Sequence, residues 1–483
     1  MRKSRLISHL KAFDAADWRK LMLMAESPFF NQNQRVLALI RYLSECAPDF
    51  DQEKVAKKAV FQVLYPEGGK PFSVQVIHDH FSMGLRLLEA YLVQKSLEDE
   101  PEISTTLMLR SLNNLGLNKA FDKKYQQLFS LEQPAVYPDS YFHRFQLHLE
   151  AYNQAQSVRD KTALDLIDRA ERSLDSHFVV NKLKIAAARL NQGHVYDAVP
   201  DEDAPAFLQL EHEFPAALAA EPLVAVYIAI HHLLQAPSGL ERYDALVALL
   251  DEYGQRFSRK ESTEAYAFVL NFAIQRFNKG ETDFISRIFD LYKRLLNLDL
   301  LIQEDGHFPH AILKNIVTAG LRNKAFDWTR RFIESYTEKV HPDRRSDVYA
   351  YNMAMYHFEK GNYREALRGL SLARFKDVFY ELGARTLQVK IYFEMEEDES
   401  IGYLLRAFRA ALRRNKSVSR AYFKLFDNFL RFVNKLYKLK MNRGRISEAS
   451  WKANWNKLAD QLDSQEEGIA NAMWLREKLD ALQ

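Results

Sequence analysis

The chain has 483 residues, 47% of them hydrophobic, and a formal net charge of only +3. That length suits two to four domains or one long array with a sizeable core, and the small charge excludes a polycation as a whole. The single cysteine, Cys46, excludes an intrachain disulfide and any multi-cysteine zinc site.

Sixteen Gly and fourteen Pro are too few for the many tight turns of a β-rich chain of this length. Leu, Ala, Lys, Arg, Glu and Gln, the good helix formers, are abundant. The N-terminal "MRKSRLISHLKAFDAADW" holds no apolar run of signal-peptide length. No apolar run reaches the roughly 20 residues of a membrane span. The expected setting is a reducing cytoplasm, with no membrane contact.

Asp14 reads as an N-cap for a helix over Ala15–Glu26. Pro28 stops that helix in "SPFFN" (27–31). Asn31 and Gln34 have capping-box spacing for a second helix starting near Gln32. On that reading Phe30 staples back near Arg35 or Val36, and Phe29 closes the angle between the two helices. The alternative is an exposed docking motif or a Ser-Pro phosphorylation site. Cys46 falls in the helix "RVLALIRYLSECAPDF", where a buried thiol is expected.

"YPEGGKPFS" (65–73) is a loop, and Ser73 caps the helix that follows. Its Gly-Lys is no phosphate loop, because Leu64 and Pro71 stand where glycine and Ser or Thr are needed. Phe81, Leu85, Leu88 and Leu92 form one helical stripe. His78 and His80 face different sides of that helix, poor geometry for one metal. "HLEAYNQAQSVRDKTALDLIDRAERSL" gives two helices with a break near Ser157. No run alternates as a strand does.

"EAYAFVLNFAIQRFNKGETDFISRIFDLYKRLL" (264–296) and "HAILKNIVTAGLRNKAFDWTRRFIESYTEKV" (310–340) have the length and breaks of helical hairpins. "HFPH" (307–310) lies at a helix start. "YAYNMAMYHFEKGNYREALRGLSLARF" (349–375) resembles a tetratricopeptide repeat, with Ala354 small on the first helix, Gly361 at the turn, and Tyr363, Ala366, Leu370 and Ala373 following. The next unit, "ELGARTLQVKIYFEMEEDESIGYLLRAF", keeps the helical pattern without a turn glycine. Glu396, Glu397 and Asp398 read there as a solvated turn. Tyr351, Met355 and Phe358 occupy positions that usually face a repeat groove, and being apolar they suit a hydrophobic partner or a neighbouring helix.

Thirteen Lys or Arg against one acidic residue, Asp427, lie between Tyr403 and Arg445. Tyr422, Leu425, Phe429, Phe432, Leu436 and Leu439 form a heptad seam. Phe423, Phe426, Leu430, Val433 and Tyr437 form a second stripe beside it. Arg420, Lys424, Arg431, Lys435 and Lys438 share the remaining face, and Arg406, Arg409 and Arg413 align on the preceding helix. These cations form a solvated face, pair with acidic stretches such as "DQLDSQEEG" (460–468), or meet an anionic partner.

"SPFFN" (27–31), "FSMGLRLLEAYLVQKSL" (81–97), "FVVNKLKIAAARLN" (178–191) and "IANAMWLREKLDAL" (469–482) together resemble a group of uncharacterised, tetratricopeptide-like helical proteins of bacteria. The resemblance implies a fold and a cytoplasmic setting, and brings no catalytic residues with it.

The expectation is an all-α, right-handed α-solenoid of divergent tetratricopeptide-like hairpins. An N-terminal helical bundle takes residues 1–100. Repeats take 101–415, clearest from about 160. Basic and capping helices take 416–483, with those after Ile446 covering the last apolar face. The function expected is a non-catalytic scaffold for a protein or peptide. The alternative is a nucleic-acid-associated protein acting through 403–445. No cofactor and no metal are expected, and oligomeric state stays open. An enzyme with dispersed residues is the third class, and a polar pocket joining His and carboxylates would favour it.

Overall fold

Helix-forming composition becomes helix throughout. The computed structural model describes residues 1–68, 70–130, 136–196, 216–235, 239–303, 305–375, 377–415, 418–464 and 468–483. The protein is all-α, and no strand forms among the described residues. Two compact units carry Met1–Ala186 and Val226–Gln483.

The first unit begins with α1 (Arg5–Leu10), α2 (Ala15–Glu26), α3 (Gln34–Cys46), α4 (Lys57–Leu64) and α5 (Val74–Asp99). Asp14 starts α2 with a reciprocal capping box to Asp17, and Ser73 caps α5, both where the sequence places them. Leu6, Leu21, Leu39, Leu43, Phe81 and Leu88 meet in one core with Cys46, whose thiol pKa burial pushes up.

The joint between α2 and α3 departs from expectation. Asn33, not Asn31, caps α3, its Oδ1 accepting from Arg35 N at 2.9 Å. Asn31 is engaged elsewhere: its Nδ2 donates to Ala25 O at 2.8 Å and its Oδ1 accepts from Asn33 N at 3.0 Å. That local turn delays the helix by two residues. Phe30 is left 47% exposed and Phe29 87% exposed, so neither plugs the joint.

α6 (Pro101–Asn114), α7 (Asn118–Ser130), α8 (Pro138–Ser157) and α9 (Ala163–Tyr196) follow. α6 packs on both α7 and α8. Leu109, Phe121, Leu147 and Ala151 form a small separate core. The break after Ser157 falls where the sequence marks it.

α10 (Ala216–Ala219) and α11 (Pro222–Gln235) lead to α12 (Leu240–Tyr253), α13 (Arg259–Asn278), α14 (Phe284–Asn297), α15 (His310–Arg322) and α16 (Phe326–Thr337). α17 (Arg345–Glu359), α18 (Tyr363–Leu372), α19 (Val378–Glu394), α20 (Asp398–Arg414) and α21 (Arg420–Met441) continue, and α22 (Glu448–Asp463) and α23 (Ala472–Asp480) close the chain. From α12 to α23 each helix packs on the next. α15 also touches α17, and α17 touches α19.

One turn recurs along these helices, ending α13, α14, α15, α17 and α19; after α14 Leu300 N donates to Leu295 O across Asp299 at φ 55°. Glu281 N donates to Arg276 O, Ala325 N to Gly320 O, Asn362 N to His357 O and Glu397 N to Tyr392 O. Each spans a left-handed residue: Gly280, Lys324, Gly361 and Glu396, at φ 97°, 56°, 77° and 57°. This is the glycine-type helix stop, so Glu396 fills the turn that seemed to lack its glycine.

α21 buries Phe429, Leu430, Phe432, Val433, Leu436 and Leu439. Trp451, Leu458, Trp474 and Leu475 of α22 and α23 cover them, as expected of the helices after Ile446.

Candidate functional site

Four helix starts line one open cleft of about 610 Å³ in the second unit. His310 opens α15, Arg344 precedes α17, Asp377 precedes α19, and Ser419 precedes α21. The spacings from His310 to Arg344 and from Arg344 to Asp377 are 34 and 33 residues. These are equivalent positions in consecutive helix pairs.

Arg344 donates to Asp377 Oδ2 at 3.0 Å and lies 2.8 Å from His310 Nε2. Burial lowers the His310 pKa, and the Arg344 charge lowers it further against the pull of Asp377. The neutral imidazole thus faces a guanidinium donor. Asp377 Oδ1 accepts from Phe379 N at 2.9 Å and Tyr380 N at 3.2 Å, capping α19. Ser419 Oγ caps α21 by accepting from Tyr422 N at 3.3 Å.

His310, Asp377 and Ser419 share a cleft but spend their polar atoms on helix ends and on Arg344. His310 and Asp377 are therefore each engaged within the fold. What the cleft exposes is aromatic. Phe379 and Tyr422 are exposed, their rings edge-on with centroids 5.2 Å apart. Asp343 and Asp347 add carboxylates to the lining.

Tyr351, Met355 and Phe358 do not form an open groove. Tyr351 and Phe358 are buried and Met355 is half-buried. Tyr351 lies under the cleft, its ring 5.1 Å from Tyr380, and Lys314 sits 5.2 Å over its face. Gly383 on α19 makes room, since a Cβ there would lie 2.9 Å from the Tyr351 hydroxyl. Phe358 lies beneath the Lys390 ammonium at 4.6 Å. Both therefore serve the neighbouring helix, and the exposed aromatics that line the cleft are Phe379 and Tyr422. The signal for them in the sequence is faint: charged helix starts in "HFPH", "HPDRRSD" and "KDVFYE" at nearly constant spacing.

The eight basic candidates on α20 and α21 differ in exposure. Arg406, Arg413, Arg420, Arg431 and Lys438 are exposed, and Arg409, Lys424 and Lys435 are half-buried. Arg409 is neutralised by Asp427 at 2.7 Å. Arg431 donates to Asn428 Oδ1 and Lys435 to Gln461 Oε1, both neutral acceptors. Burial, then Arg431 and Lys457, lowers the Lys435 pKa. Among the described residues Arg406, Arg413, Arg420 and Lys438 make no ion pair.

The described part of the 460–468 stretch meets these cations at the neutral Gln461, which accepts from Lys435, and not through the carboxylate of Asp463. Asp463 accepts from Arg476 at 2.8 Å, and residues 465–467 lie outside the described residues. The two apolar stripes of α21 are largely core. Besides Tyr422, Tyr403 is exposed here, at 67% on α20 one turn before Arg406, and sequence reasoning gave it no role.

Among the described residues no group of three or more His, Cys, Asp or Glu could hold a metal, and no helix is long and apolar enough to cross a membrane. Comparisons with family models, curated proteins and solved structures find no match.

Proposed function

We propose that the chain is a non-catalytic binding scaffold, a right-handed solenoid of divergent tetratricopeptide-like hairpins working in a bacterial cytoplasm. Support comes from the recurring left-handed turn at Gly280, Lys324, Gly361 and Glu396, and from first helices α15, α17 and α19 touching in sequence. The observation that carries the functional part is the cleft at the helix starts. His310, Arg344 and Asp377 are held by one another, while Phe379 and Tyr422 remain exposed to a protein or peptide. Replacing Phe379 by a photo-crosslinking analogue in the source cells tests it. A discrete protein adduct, lost on Tyr422→Ala, is the expected result. Illumination without any protein adduct contradicts the reading.

A second reading is favoured by one observation, the cations of α20 and α21 that lack acidic partners. They suit a nucleic-acid backbone, with Tyr403 as a stacking surface. Arg406→Glu with Arg413→Glu is the cleaner test, because Arg431 and Lys435 hold internal hydrogen bonds. This reading expects binding to single-stranded RNA or DNA that falls steeply with salt and disappears in the double variant. Unchanged binding removes it.

A further inference from the structure

The turn from Ser27 to Asn31 holds two phenylalanines in solvent. Phe30 N and Asn31 N both donate to Ser27 O, at 3.1 and 2.9 Å. The Asn31 side chain ties the turn to Ala25 and Asn33. The Phe29 and Phe30 rings meet edge-on with centroids 5.0 Å apart. Rigid exposed aromatics lose little conformational freedom when a partner covers them, which makes them good anchors.

An open groove of about 1060 Å³ runs beside them, lined in part by Phe30, Arg35, Tyr65, Met83 and Arg86. Its size is at the upper end for a small-molecule pocket, and its openness suits a chain segment better. The Arg35 guanidinium is held 4.5 Å over the Tyr65 ring. Arg86 is exposed, and neither arginine makes an ion pair among the described residues. Glu67 is the one carboxylate among the described lining residues. Met83 is exposed as well. Apolar knobs thus stand next to two guanidinium groups without counter-charges.

We propose that this face docks a short acidic, apolar peptide segment of a partner protein. Its carboxylates pair with Arg35 and Arg86, and its apolar side chains cover Phe29, Phe30 and Met83. The surface belongs to the first unit and stands whether or not the cleft of the second unit binds anything.

The test uses the full chain and fluorescein-labelled peptides of equal length in anisotropy titrations. One alternates Asp or Glu with Leu or Phe, one replaces its acids by Lys, and one replaces its apolar residues by Ser. Only the acidic, apolar peptide is expected to bind. Phe29→Ala with Phe30→Ala, and separately Arg86→Glu, should each weaken it about tenfold or more, while Leu164→Ala, at an exposed apolar residue outside the groove, leaves it unchanged. Both phenylalanines are exposed, so unaltered circular dichroism melts should accompany the loss. The proposal is overturned if the acidic, apolar peptide fails to bind, if either control peptide binds as tightly, or if the variants bind like the parent.

Discussion

The Tyr380 hydroxyl donates to the backbone carbonyl oxygen of His310 at 2.8 Å, across 70 residues of chain. The bond joins the start of α19 to the start of α15, passing over Tyr351 of the intervening α17. Tyr380 is buried, and burial raises its phenol pKa, so it stays a donor at neutral pH. Tyr380→Phe keeps the packing and removes the bond. It should cost about 1 kcal/mol of stability in denaturant titrations and broaden the amide resonances at the start of α15. An unchanged midpoint and unchanged resonances would show that the bond does not hold the cleft together.

His148 gives the first unit an acid limit. Burial, then the charges of Arg169 and Arg144, lowers its pKa to about 4 against the opposing Asp165. The native imidazole is neutral where the unfolded one, at its ordinary 6.5, takes up a proton. Stability is therefore lost as pH falls from about 6.5 towards about 4, by on the order of 3 kcal/mol from this residue. His148→Gln, which keeps an acceptor for the Tyr125 hydroxyl, should flatten that part of the thermal stability profile. A histidine titrating at its ordinary value by NMR would contradict the assignment.

Lys390 acts in the opposite range. It is buried between Phe358 and Trp474, its ammonium 4.6 and 5.5 Å from their rings. Burial is the main force lowering its pKa to about 8, with nearby Glu359, Glu477 and Glu394 opposing. The native pKa lies below the unfolded value of 10.5, so stability rises as pH climbs from about 8 to about 10.5. Lys390→Met should stabilise the protein by about 2 kcal/mol at pH 7. The gain should vanish above the unfolded pKa. A destabilised variant at pH 7 would mean that the cation's contacts with the two rings outweigh its desolvation.

The recurring turn makes a paired prediction. Lys324 is exposed at φ 56°, where a side chain is strained. Gly361 sits at φ 77°, and a Cβ added there would meet no atom within 4 Å. Lys324→Gly should raise stability and Gly361→Ala lower it, each by about 1 kcal/mol. Calorimetric melting of both variants checks this. Shifts of the same sign would show that the two turns are not equivalent.

The capping residues Asp14 and Ser73, the break after Ser157 and the cover over α21 were legible because local chemistry decides them. Turn equivalence shows in residue type at Gly280 and Gly361, whereas Lys324 and Glu396 adopt the same conformation without advertising it. The Phe29–Phe30 turn misled because Asn31 bonds backward to Ala25 and leaves the cap to Asn33, two local turn geometries that the capping-box spacing does not separate. The cleft was the hardest feature to read. His310, Arg344 and Asp377 come together only when helix pairs stack, and Tyr351 looks like a groove residue until Tyr380 covers it.

Affinity purification of the tagged protein from its source cells, at low and high salt and with and without nuclease, tests the scaffold reading most directly. The account predicts a discrete protein retained through every treatment by the parent and lost by Phe379→Ala with Tyr422→Ala. Recovery of RNA or DNA alone, released at high salt and by Arg406→Glu with Arg413→Glu, would contradict it.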